Sequence, residues 1–102
     1  MLLQEMNELT ESEAHLQRAF DLACGLGSAS DIGDYGSTLG ALLAERKRVE
    51  DAELAYTHAV SAFDRGGFWA SAATARTALS DVYISMDRLG EAETILKQAL
   101  RT

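Results

Sequence analysis

Residues 39–60 read LGALLAERKRVEDAELAYTHAV and residues 79–100 read LSDVYISMDRLGEAETILKQAL. Set one above the other they align without a gap at an offset of 40, and the first part of the chain joins the same register. Glu13, Glu53 and Glu93 then coincide, as do Ala19, Ala59 and Ala99. Around these columns Leu9, Val49 and Leu89 match in kind, as do Leu16, Tyr56 and Leu96, and Phe20, Val60 and Leu100. Earlier in the unit, Leu2 aligns with Leu42 and Val82, and Leu3 with Leu43 and Tyr83. Self-similarity at a fixed period of this length is the mark of stacked supersecondary units.

The units are helical. Val49, Ala52, Tyr56, Ala59, Val60 and Phe63 fall at steps of three, four, three, one and three, which lays an apolar stripe along one side of a helix and excludes the alternation of a strand. Leu89, Ala92, Leu96, Ala99 and Leu100 repeat the stripe. A second helical segment precedes it, carrying Trp69, Ala72, Ala73, Arg76, Leu79, Tyr83 and Met86 and ending in the stretch 87–90, so each unit is a pair of helices. Gly66 and Gly67 supply a left-handed cap after Arg65, and Gly25 and Gly27 do so one period earlier. Thr10 and Glu13 have the spacing of a capping box, which predicts a helix start near residue 11. The chain divides into a partial repeat over 1–26 and repeats over 28–66 and 68–102, within one domain.

Composition agrees with helices and narrows the function. The 102 residues contain no proline and are 47% hydrophobic, enough for one small core. Sixteen acidic residues against nine basic ones give a net charge of −7, which argues against a nucleic-acid binder, since phosphate contacts are carried by Lys and Arg. The short basic run Arg46-Lys47-Arg48 reads as a helix end answering its own dipole. One cysteine, Cys24, permits no internal disulfide and reads as a small buried apolar residue. With no basic leader and no run of about 18 apolar residues, the expectation is a soluble, cytoplasmic protein without membrane contact.

The quoted segments resemble tetratricopeptide repeats, and LLQEMNELTESEAHLQRAF, residues 2–20, resembles the back half of another. In that family a Leu-Gly pair makes the tight contact between a unit's two helices, a large apolar residue follows one turn on, a small residue sits in the second helix, and an aromatic and an alanine close the unit. Leu39-Gly40, Leu43, Ala52, Tyr56 and Ala59 match those parts, then Leu79-Ser80, Tyr83, Ala92, Leu96 and Ala99. The period of 40 exceeds the usual length of about 34 and is similar to the longer repeats of kinesin light chains and of bacterial regulators. What the resemblance implies is an all-α, right-handed solenoid of antiparallel helix pairs, about two and a half repeats long, without enzymatic activity.

Five of the eight glycines lie between Ala23 and Gly40, which raises the question of a phosphate-binding loop. Such a loop needs a strand before it, and nothing before Gly25 reads as one. GLGSAS lacks the last glycine of the dinucleotide pattern, no Gly-Lys-Ser/Thr occurs, and GSTLG misplaces the serine of a nucleophile elbow. Gly33, Gly36 and Gly40 instead share one side of a helix capped by Ser28 or Ser30, where a neighbouring helix can approach closely.

No catalytic, cofactor or metal site follows from the remaining residues. His15 and His58 fall in different columns and lack partners at metal-ligand spacing, so both read as surface or rim residues. The acidic pairs Glu50-Asp51 and Glu91 with Glu93 answer helix dipoles. Trp69 is expected to pack between repeats, in the core or at its rim, and not to stack a ligand. The family resemblance places a partner groove on the first helix of each unit, here Gln4, Glu5, Asp34, Thr38, Ala41, Glu45, Thr74, Thr77, Asp81 and Ser85. These are small, polar or acidic and lack the basic, Asn-rich clamp of chaperone-tail readers, which points to a protein or peptide partner with basic and small apolar groups. Leu2, Leu3, Met6, Leu96 and Leu100, at the two ends of the array, define the alternative: stacking on another copy as a homo-oligomer, or on the rest of a larger regulatory protein.

Overall fold

The fold was obtained as a computed structural model, which describes the backbone of residues 2–100 and the side chains of residues 11–100. Five helices follow one another, α1 over Leu2–Leu26, α2 over Ala29–Glu45, α3 over Val49–Gly66, α4 over Trp69–Ser85 and α5 over Leu89–Leu100, and no strand occurs among the described residues. Connections of two or three residues force each helix back along its predecessor. Contacts run α1 to α2, α2 to α3, α3 to α4 and α4 to α5, with a lighter contact between α2 and α4. The result is an all-α helical repeat with overall dimensions of 44 × 34 × 17 Å, its thin axis less than two helix diameters of about 10–12 Å. In so thin a body most helices keep one side open to solvent.

The inter-helix turns have a shared geometry. Gly27, Lys47, Gly67 and Asp87 all take a left-handed backbone, with φ of 76°, 65°, 77° and 59°. In three of the turns the amide that follows reaches back five residues: Arg48 to the carbonyl of Leu43 (2.9 Å), Phe68 to Phe63 (2.8 Å) and Arg88 to Tyr83 (2.8 Å). This closes the orphan carbonyls of a helix end. Gly27 and Gly67 meet the expected left-handed role, whereas Gly25 and Gly66 are still helical. Ser28 caps α2, its hydroxyl oxygen accepting from the Asp31 amide at 3.3 Å.

The expected helix start near residue 11 is not what forms: α1 runs without a break from Leu2 to Leu26. In the later units a turn is favoured because the preceding helix folds back onto a neighbour, and packing compensates for the hydrogen bonds that the break removes. Across residues 10 and 11 no such turn forms, and each residue of the continuous helix adds a backbone bond at little entropic cost. The capping-box residue Thr10 lies outside the described side chains.

A stripe of small residues brings α2 against its neighbours. A Cβ on Gly33 would stand 2.3 Å from the Phe63 ring, one on Gly40 2.9 Å from the Tyr56 ring, and one on Gly36 3.2 Å from the Ala55 carbonyl oxygen, the Ala59 methyl and the Phe20 ring. The core is thus Phe20, Ala23, Ile32, Leu39, Leu43, Ala52, Ala55, Tyr56, Ala62, Leu79 and Val82, continued by Ala59, Val60, Phe63, Ala72 and Ala75. Ser80 occupies the column of Gly40 and is buried, its hydroxyl donating to the Thr77 carbonyl at 2.6 Å. In the register of 40, Leu96 of α5 stands in the column of Tyr56, the residue whose ring faces Gly40.

Candidate interaction surface

The open side of α2 and α4 carries the residues that the family resemblance assigned to a groove. Asp34, Thr38, Ala41 and Glu45 on α2, and Thr74, Thr77, Asp81 and Ser85 on α4, are all exposed. Their spacing of three and four residues keeps them on one face of each helix, while the intervening Leu39, Leu43, Leu79 and Val82 face the core. Gln4 and Glu5 lie outside the described side chains.

Two hollows lie between these helices, with Tyr56 of α3 lining both. One, of about 330 Å³, holds Asp34 and Thr74 together with Ser37, Ser71 and Phe63. The other, of about 290 Å³, holds Ala41, Asp81 and Ser85 together with Lys47 and Val49. Ala78 also lines both. Thr38, Glu45 and Thr77 stand on the same helices but line neither hollow. Sequence reasoning assigned Tyr56 to packing alone; its place in both hollows depends on how far α2 and α4 stand apart.

The polar chemistry of this face is one-sided. Thr38 donates its hydroxyl hydrogen to the Asp34 carbonyl at 2.9 Å, Thr74 to Ala70 at 3.1 Å, Thr77 to Ala73 at 3.0 Å and Ser85 to Val82 at 2.7 Å. Each hydroxyl therefore turns its lone pairs outward and keeps its hydrogen for its own helix. With the carboxylates of Asp34, Glu45 and Asp81 the surface offers acceptors, and among the described residues Lys47 is the one cation lining either hollow. Burial, then the negative charges of Asp81 and Glu45, push the Tyr56 phenol above its ordinary value.

A second set of polar residues ties successive units together. Glu13 of α1 accepts from Arg46 at 2.7 Å and from Arg48 at 2.6 Å, and Arg48 also reaches Asp51 at 2.7 Å. Forty residues on, Glu53 of α3 accepts from Arg88 at 2.8 Å, and Arg88 also holds Glu91 while lying 4.7 Å above the Tyr83 ring. The run Arg46-Lys47-Arg48 is therefore a clamp onto the preceding unit, which corrects its reading as a response to the helix dipole: two of its members point at α1, and Lys47 makes the turn. The repeat register held the signal, since Arg48 and Arg88 share a column and Asp51 aligns with Glu91.

One further expectation is corrected. Cys24 is exposed, not buried, because Ala23 takes the inward position of the last turn of α1. Trp69 opens α4 at 58% exposure, outside the core, while Ala72 and Ala75 are the buried residues of that stretch. His15 and His58 are exposed, the latter with its ring 5.7 Å from Phe20. Among the described residues no group of three His, Cys, Asp or Glu side chains could hold a metal ion, and no helix is long and apolar enough to cross a membrane.

Stacked helix pairs with an open polar face define a repeat module of the kind that carries protein–protein contacts. The tetratricopeptide repeat profile matches residues 33–102, and the chain belongs to that family. Repeats of this family generally mediate protein–protein interaction and are typically non-catalytic. No curated protein and no solved structure matches the chain.

Proposed function

We propose that this protein is a non-catalytic adaptor that holds an extended, basic segment of a partner protein along the α2–α4 face. The observation that carries this reading is the excess of acceptors on that face: Thr38, Thr74, Thr77 and Ser85 spend their hydroxyl hydrogens on their own helices beside three carboxylates, with Lys47 as the opposing cation. A lysine or arginine side chain supplies donors to these acceptors, and small side chains between them fit hollows of about 300 Å³. The partner's backbone lies across Tyr56, with Asp34 and Asp81 steering its cations.

The test is a titration of the full chain with an alternating Ala-Lys dodecapeptide and with its Ala-Glu counterpart, followed by amide chemical shifts. Binding of the lysine peptide alone is expected, with shifts centred on residues 34–45 and 74–85. Asp81→Lys should weaken it on the order of tenfold at low salt, as one attraction becomes a repulsion. Equal binding of both peptides, or shifts confined to α1 and α5, would refute the assignment.

A further inference from the structure

Helices α1 and α3 both pack on α2, and a hollow of about 540 Å³ lies where the end of α1 faces the second half of α3. It is larger than either hollow of the α2–α4 face and falls within the range of about 300–1,000 Å³ typical of small-molecule sites. Ile32 and Ala62, both buried, give it apolar surface at depth. Cys24 borders it from α1, and Thr57, His58, Ser61 and Arg65 border it from α3, where steps of three and four residues keep them on one side of the helix.

In a chain of net charge −7, no described carboxylate lines this hollow. Asp34 and Asp81 line those of the α2–α4 face, and Glu13 and Asp51 line another between α1 and α3. Arg46, Arg48, Arg76 and Arg88 are each held by a carboxylate, whereas Arg65 makes no ion pair with any described residue. Asp64, beside it in sequence, is taken by Arg76. The Ser61 hydroxyl also has no partner among the described residues, while Thr57 spends its hydroxyl hydrogen on the Glu53 carbonyl at 2.7 Å. A free guanidinium, a free hydroxyl and the His58 imidazole, whose ring stands against Phe20, therefore bring donors to one place.

We propose that this hollow binds the phosphate monoester group of a small organic molecule, with Arg65 as its cation and the organic part resting on Ile32 and Ala62. The planar guanidinium grips two phosphate oxygens at once, and Ser61 and His58 donate to what remains. A phosphate fits this set better than a carboxylate does, because it offers three oxygens to three separate donor groups. The hollow is apart from the α2–α4 face, and neither reading depends on the other.

The probes are phenyl phosphate, inorganic phosphate and phenol, each titrated into the full chain at one low ionic strength and followed by amide chemical shifts. Phenyl phosphate is expected to shift amides centred on residues 24–32 and 57–65, and to bind about tenfold more tightly than either of its halves. Arg65→Gln should weaken it about tenfold or more, and Arg65→Lys, which keeps the charge and loses the fork, should recover only part of that. Both changes are at an exposed side chain, so Tm should move by no more than about 4 °C. Arg18→Gln, an exposed arginine that does not line the hollow, should leave the affinity unchanged. Binding that survives Arg65→Gln, that falls equally with Arg18→Gln, or that shifts α4 and α5 instead overturns the proposal. So does inorganic phosphate or phenol binding as tightly as phenyl phosphate, or the absence of any saturable shift up to about 10 mM phenyl phosphate.

Discussion

Replacing Gly33 by alanine sets two opposing effects against each other. Gly33 lies in the interior of α2, where a change from glycine to alanine stabilises a helix by about 0.8–1 kcal/mol. The new methyl, however, would stand 2.3–2.5 Å from three atoms of the Phe63 ring, well inside contact distance. Phe63 is 4% exposed, packed with Ala59, Val60, Ala72 and Ala75 and edge-on to Phe68, so its ring can give way only toward the hollow it lines, at the expense of those contacts. Overpacking of a filled core costs about 1–3 kcal/mol. The net expectation is a loss of about 1 kcal/mol, which for a domain of this size lowers Tm by about 4–8 °C.

Gly25→Ala is the internal control, because nothing lies within 4 Å of its Cβ position and the backbone there is helical. It keeps the propensity gain and loses nothing to packing, so its Tm should rise. Thermal and urea unfolding followed by circular dichroism measure both variants. Pairing Gly33→Ala with Phe63→Leu should cost less than the sum of the two changes, since each relieves the other. If Gly33→Ala stabilises as much as Gly25→Ala, the close approach of α2 to α3 is not present and the packing described above is wrong.

Two other outcomes follow from the turns and the clamp. Lys47 holds a left-handed conformation that costs a side-chain-bearing residue about 1–2 kcal/mol, so Lys47→Gly should raise stability by about 0.5–1 kcal/mol after the added chain entropy of glycine; a lower Tm for this variant would contradict the turn geometry. Arg88→Gln should lower Tm at low ionic strength, and the deficit should shrink at 1 M salt, where the screening length falls to about 3 Å. The Arg88 guanidinium holds the Glu91 carboxyl below its ordinary value of 4.5. A depressed carboxyl stabilises the fold above its ordinary value and loses that contribution as pH falls through the folded value. The difference between Arg88→Gln and the parent chain should therefore narrow below pH 4.5, and a difference that holds constant to pH 2 would show that the pair does not form.

Much of this protein is legible in one dimension because its information is periodic. An offset of 40 exposes the repeat, spacings of three and four identify the helices, and Gly33, Gly36 and Gly40 announce a close helix contact before any neighbour is known. Such features depend on residues near one another in sequence, where helical geometry alone says which side chains share a face. Tertiary structure decided whatever depends on what stands across a gap. Whether Thr10 opens a helix was decided by the continuity of α1, which runs through it without a turn. Arg46 and Arg48 found Glu13 more than thirty residues away, a pairing set by how far α2 and α3 bring their turn toward α1. Tyr56 became part of the α2–α4 face, and Cys24 and Trp69 became exposed, because a neighbouring alanine already filled the inward position in each helix. The sequence determined which faces are apolar; the packing of those faces determined which polar groups were left to meet a partner.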